Sequence, residues 1–223
     1  MINEGALIDS AKVSIQLIRD IGILANSNSM PIYPESMPSE LRVLSYEDAW
    51  KKCIKKEWYN IILEDSSILQ FSRNGYKYIM TPFNSLSYDE FVERNFPEPE
   101  WLEDPMLSHD IIQQYDDYID SQRQSQPAMP VRFDVDYDYY CEHIHPLYHF
   151  HFGVENESRI PVKRLLTPLS FTAFIVRSFY PKKWKVFSEE GGIENYIRSF
   201  KENLASVPTD YWKAYENRLL YIS

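Results

Sequence analysis

Four of the five histidines, His143, His145, His149 and His151, fall within nine residues, with Cys141 just before them. Upstream, Val131-Arg132-Phe133-Asp134-Val135-Asp136-Tyr137-Asp138 alternates apolar and polar side chains, the pattern of a strand with one wet face. Residues 147–152 alternate in the same way. Folded into an antiparallel hairpin with Asp136 opposite His149 and Asp134 opposite His151, the two runs set Val135 against Phe150, Phe133 against Phe152 and Tyr137 against Tyr148. Apolar residues then meet apolar residues, and the other face carries Asp and His. A one-residue slip would destroy the match. Such a face offers two kinds of chemistry. His149, His151 and Asp136 could ligate a divalent transition metal and leave positions open for water or substrate; the ion would lower the pKa of that water. Without metal, His149 or His151 beside Asp134 or Asp136 could serve as a general base. The same residues also suit an ordinary solvated face where carboxylates pair with imidazoles. No HExxH or other fixed ligand spacing decides between them.

Arg159, Lys163 and Arg164 follow closely, and Arg177 lies further on. Arg159 and Arg164 are the candidate anion holders, since a guanidinium grips phosphate or carboxylate bidentately. The alternative is that these cations neutralise the Asp-rich strand. Cys141 suits a buried structural thiol better than a nucleophile. The stripe Tyr211, Trp212, Tyr215, Leu219 suits helix packing.

The elements that position these groups are predicted as follows. Apolar residues at helical spacing give a helix over 5–24, and the prolines and serines of 26–40 give a loop. Ser45 caps a helix to about Glu57. Strands follow at 59–63, 68–72 and 76–81, the last two joined by an Asn74-Gly75 hairpin turn. Ser87 and Ser108 start two further helices around an acidic, proline-broken loop at 96–107. After the histidine hairpin, a third strand spans 159–165. Thr167-Pro168 opens a helix that stops before Pro181, and helices at 193–204 and 208–220 complete the chain. Hairpins alternating irregularly with helices predict an α+β fold: antiparallel sheet, with hairpins near 59–81 and 131–164, covered by amphipathic helices. One domain over 1–223 is expected, with the 5–24 helix the part most able to stand apart.

Composition narrows the function. The chain has 223 residues and only 6 glycines, with no GxGxxG, GxxxxGK[ST] or GxSxG. Dinucleotide-fold enzymes, P-loop NTPases and α/β-hydrolases are disfavoured accordingly. A net charge of −10 excludes a uniformly basic nucleic-acid binder. Charge is uneven, however: 86–138 holds 14 acids and 3 bases, 159–201 holds 9 bases and 3 acids. Mutual neutralisation is expected, and nucleic acid could be met only through a local basic face. Two cysteines without a CxxC suit a reducing cytoplasm and exclude a disulfide scaffold. No apolar run is long enough to span a membrane.

The order of motifs carries a resemblance. His145-Pro146-Leu147-Tyr148-His149-Phe150-His151-Phe152-Gly153 precedes Arg159-Ile160-Pro161, then Leu166-Thr167-Pro168-Leu169-Ser170-Phe171 and Phe174-Ile175-Val176-Arg177-Ser178-Phe179-Tyr180-Pro181-Lys182-Lys183-Trp184. Over roughly residues 130–184 the chain resembles an uncharacterised bacterial family, domain of unknown function 2290. The resemblance implies a bacterial cytoplasmic protein and brings no activity with it. The residues themselves suggest a hydrolase-like or nuclease-like enzyme, metal-assisted, with its site on the His/Asp hairpin. The alternative is a non-catalytic interaction subunit of a defence or toxin–antitoxin assembly, with 96–107 as contact surface. A protein partner or a homo-oligomer fits either.

Overall fold

The computed structural model describes residues 3–82, 88–96, 105–125, 128–154 and 157–222, the side chains of 105–108 and 123–125 excepted. Helix α1, Glu4–Ile21, starts where the Asn3 side chain accepts from the Gly5 amide and ends at Gly22, whose φ of 76° is left-handed. It buries Ala11, Ser14, Ile15, Leu17, Ile18 and Ile21 in the core and does not stand apart from it. The stretch expected to be loop contains strand β1, Leu24–Ser27, and helix α2, Met37–Arg42. β1 is too short and too polar to show alternation. Ser45 caps α3, Tyr46–Lys55, as predicted.

Strands β2 (Ile61–Leu63), β3 (Ile68–Ser72), β4 (Gly75–Ile79), β5 (Val131–Val135), β6 (Tyr148–Phe152) and β7 (Ile160–Pro161) join β1 in a seven-stranded sheet, in sequence order. Every neighbouring pair is antiparallel, so the α+β expectation is met. Gly75 is required at the hairpin: its φ is 138°, and a Cβ there would lie 2.1 Å from the Phe133 carbonyl oxygen.

The chain divides into two compact units, 1–80 with 129–223, and 81–128. The smaller is inserted between the paired strands β4 and β5. It contains α4, Tyr88–Asn95, and α5, Pro105–Ser125, where Phe91 meets Tyr115 at 5.3 Å and Tyr118 at 5.2 Å between ring centroids. Of the acidic segment 96–107, residues 97–104 lie outside the described residues.

In the larger unit, strand alternation sorts side chains onto two faces. Tyr76, Tyr78, Phe133, Phe150 and their neighbours form the apolar face, packed with α1 and with α6, Pro168–Phe179. Thr167 and Ser170 form a capping box at the start of α6. Pro181 does more than stop α6, because it also occupies the first turn of a further helix, α7, Pro181–Glu189, where its missing amide costs nothing. The helices expected at 193–204 and 208–220 are replaced by short turns of 3-10 and π type at Gly192–Asn195, Arg198–Glu202 and Ala214–Arg218. The tail is spent on the sheet edge instead. The Lys163 amide donates to the Ile222 carbonyl (2.9 Å) and the Leu165 amide to the Ala205 carbonyl (2.8 Å), satisfying groups that an open edge would leave bare.

On the opposite face, Ile62, Ile68 and Ile79 pack with Met37, Cys53 and Trp58 beneath α2 and α3. Beyond these the face carries Gln70, Ser72, Lys77, Arg132, Asp134, His149 and His151, with Gly75 opposite Asp134 and Pro161 opposite His149. Among the described residues, no helix is long and apolar enough to cross a membrane.

Candidate functional site

β5 and β6 pair antiparallel, but two residues out of the expected register: Asp134 lies opposite His149, Arg132 opposite His151, Phe133 opposite Phe150 and Val135 opposite Tyr148. A shift of two keeps every side chain on its face, so alternation cannot distinguish the two registers. The connection decides it. The ladder closes where the Asp136 amide donates to the Leu147 carbonyl (3.0 Å), and beyond it Cys141 and His145 form a small bridge of their own.

The shift separates the two aspartates. Asp136 Oδ2 lies 3.2 Å from His145 Nε2, not beside His149 or His151. Asp134 Oδ2 lies 3.4 Å from His151 Nε2. Asp134, and not the Asp136 expected there, clusters with His149 and His151: the atoms these three could offer a metal ion all fall within 4.8 Å of one another. The histidines are not on a wet face: His149 is 1% exposed and His151 5%.

Hydrogen bonding fixes the state of His149. Its Nδ1 lies 2.6 Å from the Pro146 carbonyl oxygen, which can only accept, so Nδ1 carries the proton. Burial lowers its pKa to about 4, against the opposing pull of the Pro146 bond and the Asp134 charge. At neutral pH the ring is thus uncharged with a lone pair on Nε2, and that atom lies 3.0 Å from His151 Nε2. His145 stands edge-on to His149, with ring centroids 5.0 Å apart. The row runs Asp136, His145, His149, His151, Asp134.

Other expected participants lie elsewhere. His143 stacks on Tyr215 at 4.4 Å between centroids. Cys141 is exposed, and Cys53 is the buried thiol. Arg159 donates to the Glu157 carbonyl (2.9 Å). Arg164 donates to the Leu204 carbonyl (3.1 Å) and to Ser206 Oγ (3.2 Å). With Arg177 and Phe150 it lines a cavity of about 1060 Å³ on the apolar side of the sheet, so the expected anion holders do not converge on the histidines. In the basic stretch, Lys183 pairs with Glu64 and Lys185 with Glu189.

What the sequence did not single out is the basic pair beside Asp134. Lys77 lies opposite Arg132, which lies opposite His151. Lys77, Arg132 and Asp134 line a cavity of about 500 Å³, walled by Tyr33, Pro34 and Met37. The available signal was a polar residue alternating into apolar strands, Gln70 in β3 and Lys77 in β4.

No curated protein and no solved structure matches the chain. A family model described as Uncharacterized conserved protein (DUF2290) matches residues 23–211. With that span covering most of its length, the chain belongs to this family of uncharacterised conserved proteins.

Proposed function

We propose that His149, His151 and Asp134 hold one divalent transition-metal ion and that the protein is a metal-assisted hydrolase. The observation that carries this is the buried His149–His151 pair, with facing Nε2 atoms 3.0 Å apart and His149 Nδ1 tied to the Pro146 carbonyl. A ligating histidine commonly donates its second N–H to a carbonyl, which fixes the tautomer and turns the free nitrogen to the metal. For metal–nitrogen bonds of about 2.1 Å, nitrogens 3.0 Å apart subtend about 90° at the ion, the angle between adjacent octahedral ligands. A tetrahedral ion would want them about 3.4 Å apart. The pair thus suits a six-coordinate ion such as manganese or nickel as it stands, and tetrahedral zinc after opening by about 0.4 Å.

In the metal-free protein, a proton on His151 Nε2 satisfies His149 Nε2. A metal would take that position on Nε2 and the proton would move to His151 Nδ1, so a neutral pair binds the ion without net proton release. The bound ion would supply an activated water. The carboxylate of Asp134 would be the third ligand and mark the open side, since its side chain is 23% exposed while the histidines are buried. Asp136 and His145 stand behind the pair as positioning residues. Unaided general-base catalysis fits less well: a histidine with a pKa of about 4 is neutral at pH 7 but weakly basic.

The test is the metal content of untagged protein and its hydrolysis of chromogenic phosphate and carboxylate esters with manganese, nickel or zinc. The expected result is ion-dependent hydrolysis that His151→Ala and Asp134→Asn abolish. An ion bound without hydrolysis of any ester, or iron that consumes oxygen, would overturn the hydrolase assignment. Absence of ion binding would overturn the metal centre itself.

A further inference from the structure

The cavity of about 500 Å³ beside Asp134 has the chemistry of a binding site in its own right. Its floor is the polar sheet face, where Gln70, Lys77 and Arg132 stand in one cross-strand row. Two positive side chains side by side repel each other unless something negative lies near both. Asp134 partly answers Arg132, with Oδ2 and Nη1 3.7 Å apart. Lys77 makes no hydrogen bond or close ion pair among the described residues; the Asp134 charge attracts its ammonium at longer range, but burial outweighs that pull and lowers its pKa. Gln70 is a second, independent sign. It lines the cavity, is 3% exposed and donates Nε2 to the Trp58 carbonyl (2.6 Å), which leaves Oε1 buried without a hydrogen-bond partner. A buried acceptor in that state waits for a donor. The cavity thus sets two cations, Lys77 and Arg132, and the polar Gln70 among two carboxylates, Asp134 and Glu35, so a ligand anion would lie between the cations and away from the acids.

We propose that this cavity binds a phosphate ester of about mononucleotide size, its phosphoryl group held between Lys77 and Arg132 and its polar remainder meeting Gln70. The volume suits a small ligand. The wall of Tyr33, Pro34 and Met37 supplies apolar cover for a sugar or base. A nucleic-acid strand is disfavoured by the net charge of −10. Phosphoryl recognition here rests on the metal-centre assignment only for its orientation. An ion on Asp134 would draw that carboxylate from Arg132 and free the guanidinium for phosphate, so metal and phosphate should each strengthen the binding of the other.

Calorimetric titration with adenosine 5′-monophosphate, ribose 5-phosphate, inorganic phosphate and adenosine tests this, on protein stripped of metal and on protein with manganese. The expected result is one phosphate ester bound per chain, with adenosine weaker by at least about tenfold, the value of a hydrogen-bonded charge contact. Lys77→Met should lose the same factor while keeping its fold by circular dichroism. Arg132→Gln, at a more exposed position, gives a second variant with the same expected direction. If none of the three phosphates binds, if adenosine binds as well as its monophosphate, or if both variants bind as wild type, the proposal is overturned. Binding of a single-stranded oligonucleotide without binding of the mononucleotide overturns it too. Lys77-dependent binding in protein that takes up no metal would keep the cavity and discard the ion.

Discussion

The two faces of the sheet are built from the same strands by alternate residues, yet they are completed differently. On the apolar face, Phe150 lies 5.6 Å from Phe133, 6.1 Å from Phe171 and 5.3 Å from Phe174 between ring centroids, and helices close over it. Dispersion and water exclusion need no particular partner atom there. On the polar face, stability depends on specific pairing: His149 and His151 share a hydrogen bond, while Gln70 Oε1 has no hydrogen-bond partner and the Lys77 ammonium makes no hydrogen bond or close ion pair among the described residues. One face is finished by the chain itself, while the other has valences that an ion and an anion would fill.

The largest effect should come from breaking the finished face. Phe150→Ala, at 1% exposure, should cost about 3–5 kcal/mol in denaturant unfolding. Next is acid. With the pKa of His149 at about 4 in the fold, below the usual 6.5, the unfolded chain takes a proton that the native state refuses. Stability of metal-free protein should therefore fall by roughly 3 kcal/mol as pH drops from about 6.5 to 4, and change little on this account above 6.5. Urea titrations across that range would show it. His149→Ala should cost less at neutral pH, about 1–3 kcal/mol for the stranded Pro146 carbonyl, and should remove most of that acid slope. A slope unchanged in the variant would place the titration elsewhere. Smallest is Lys77→Met, which removes a half-buried charge and should raise stability by up to about 1 kcal/mol in ligand-free protein. A loss of stability would mean that Lys77 is a structural partner and not a waiting one.

The sequence showed which residues share a face because period-two alternation survives any even shift. It could not show the register, since moving β6 by two residues leaves Phe150 and Phe152 on the core face and His149 and His151 opposite. That is why the sequence set Asp136 opposite His149, where the structure has Asp134. Burial of the histidines was hidden too, because it depends on how the connection before β6 folds back, with Pro146 and His145 against His149. Pro181 read as a stop because proline breaks a helix interior, although it also starts α7. β1 escaped because Leu-Ala-Asn-Ser carries little apolar signal at an edge. Lys77 and Gln70 match no motif; only the pairing of β3, β4 and β5 brings them beside Asp134.

The most direct test uses that two-residue difference. Metal-free wild type, Asp134→Asn and Asp136→Asn should be titrated with manganese and nickel by calorimetry in two buffers of different ionisation enthalpy. A His149/His151/Asp134 centre predicts one ion per chain, with no net proton release from the neutral imidazoles, and a large loss of affinity in Asp134→Asn alone. Equal loss in both variants, or an ion that binds as tightly to Asp134→Asn as to wild type, would contradict it.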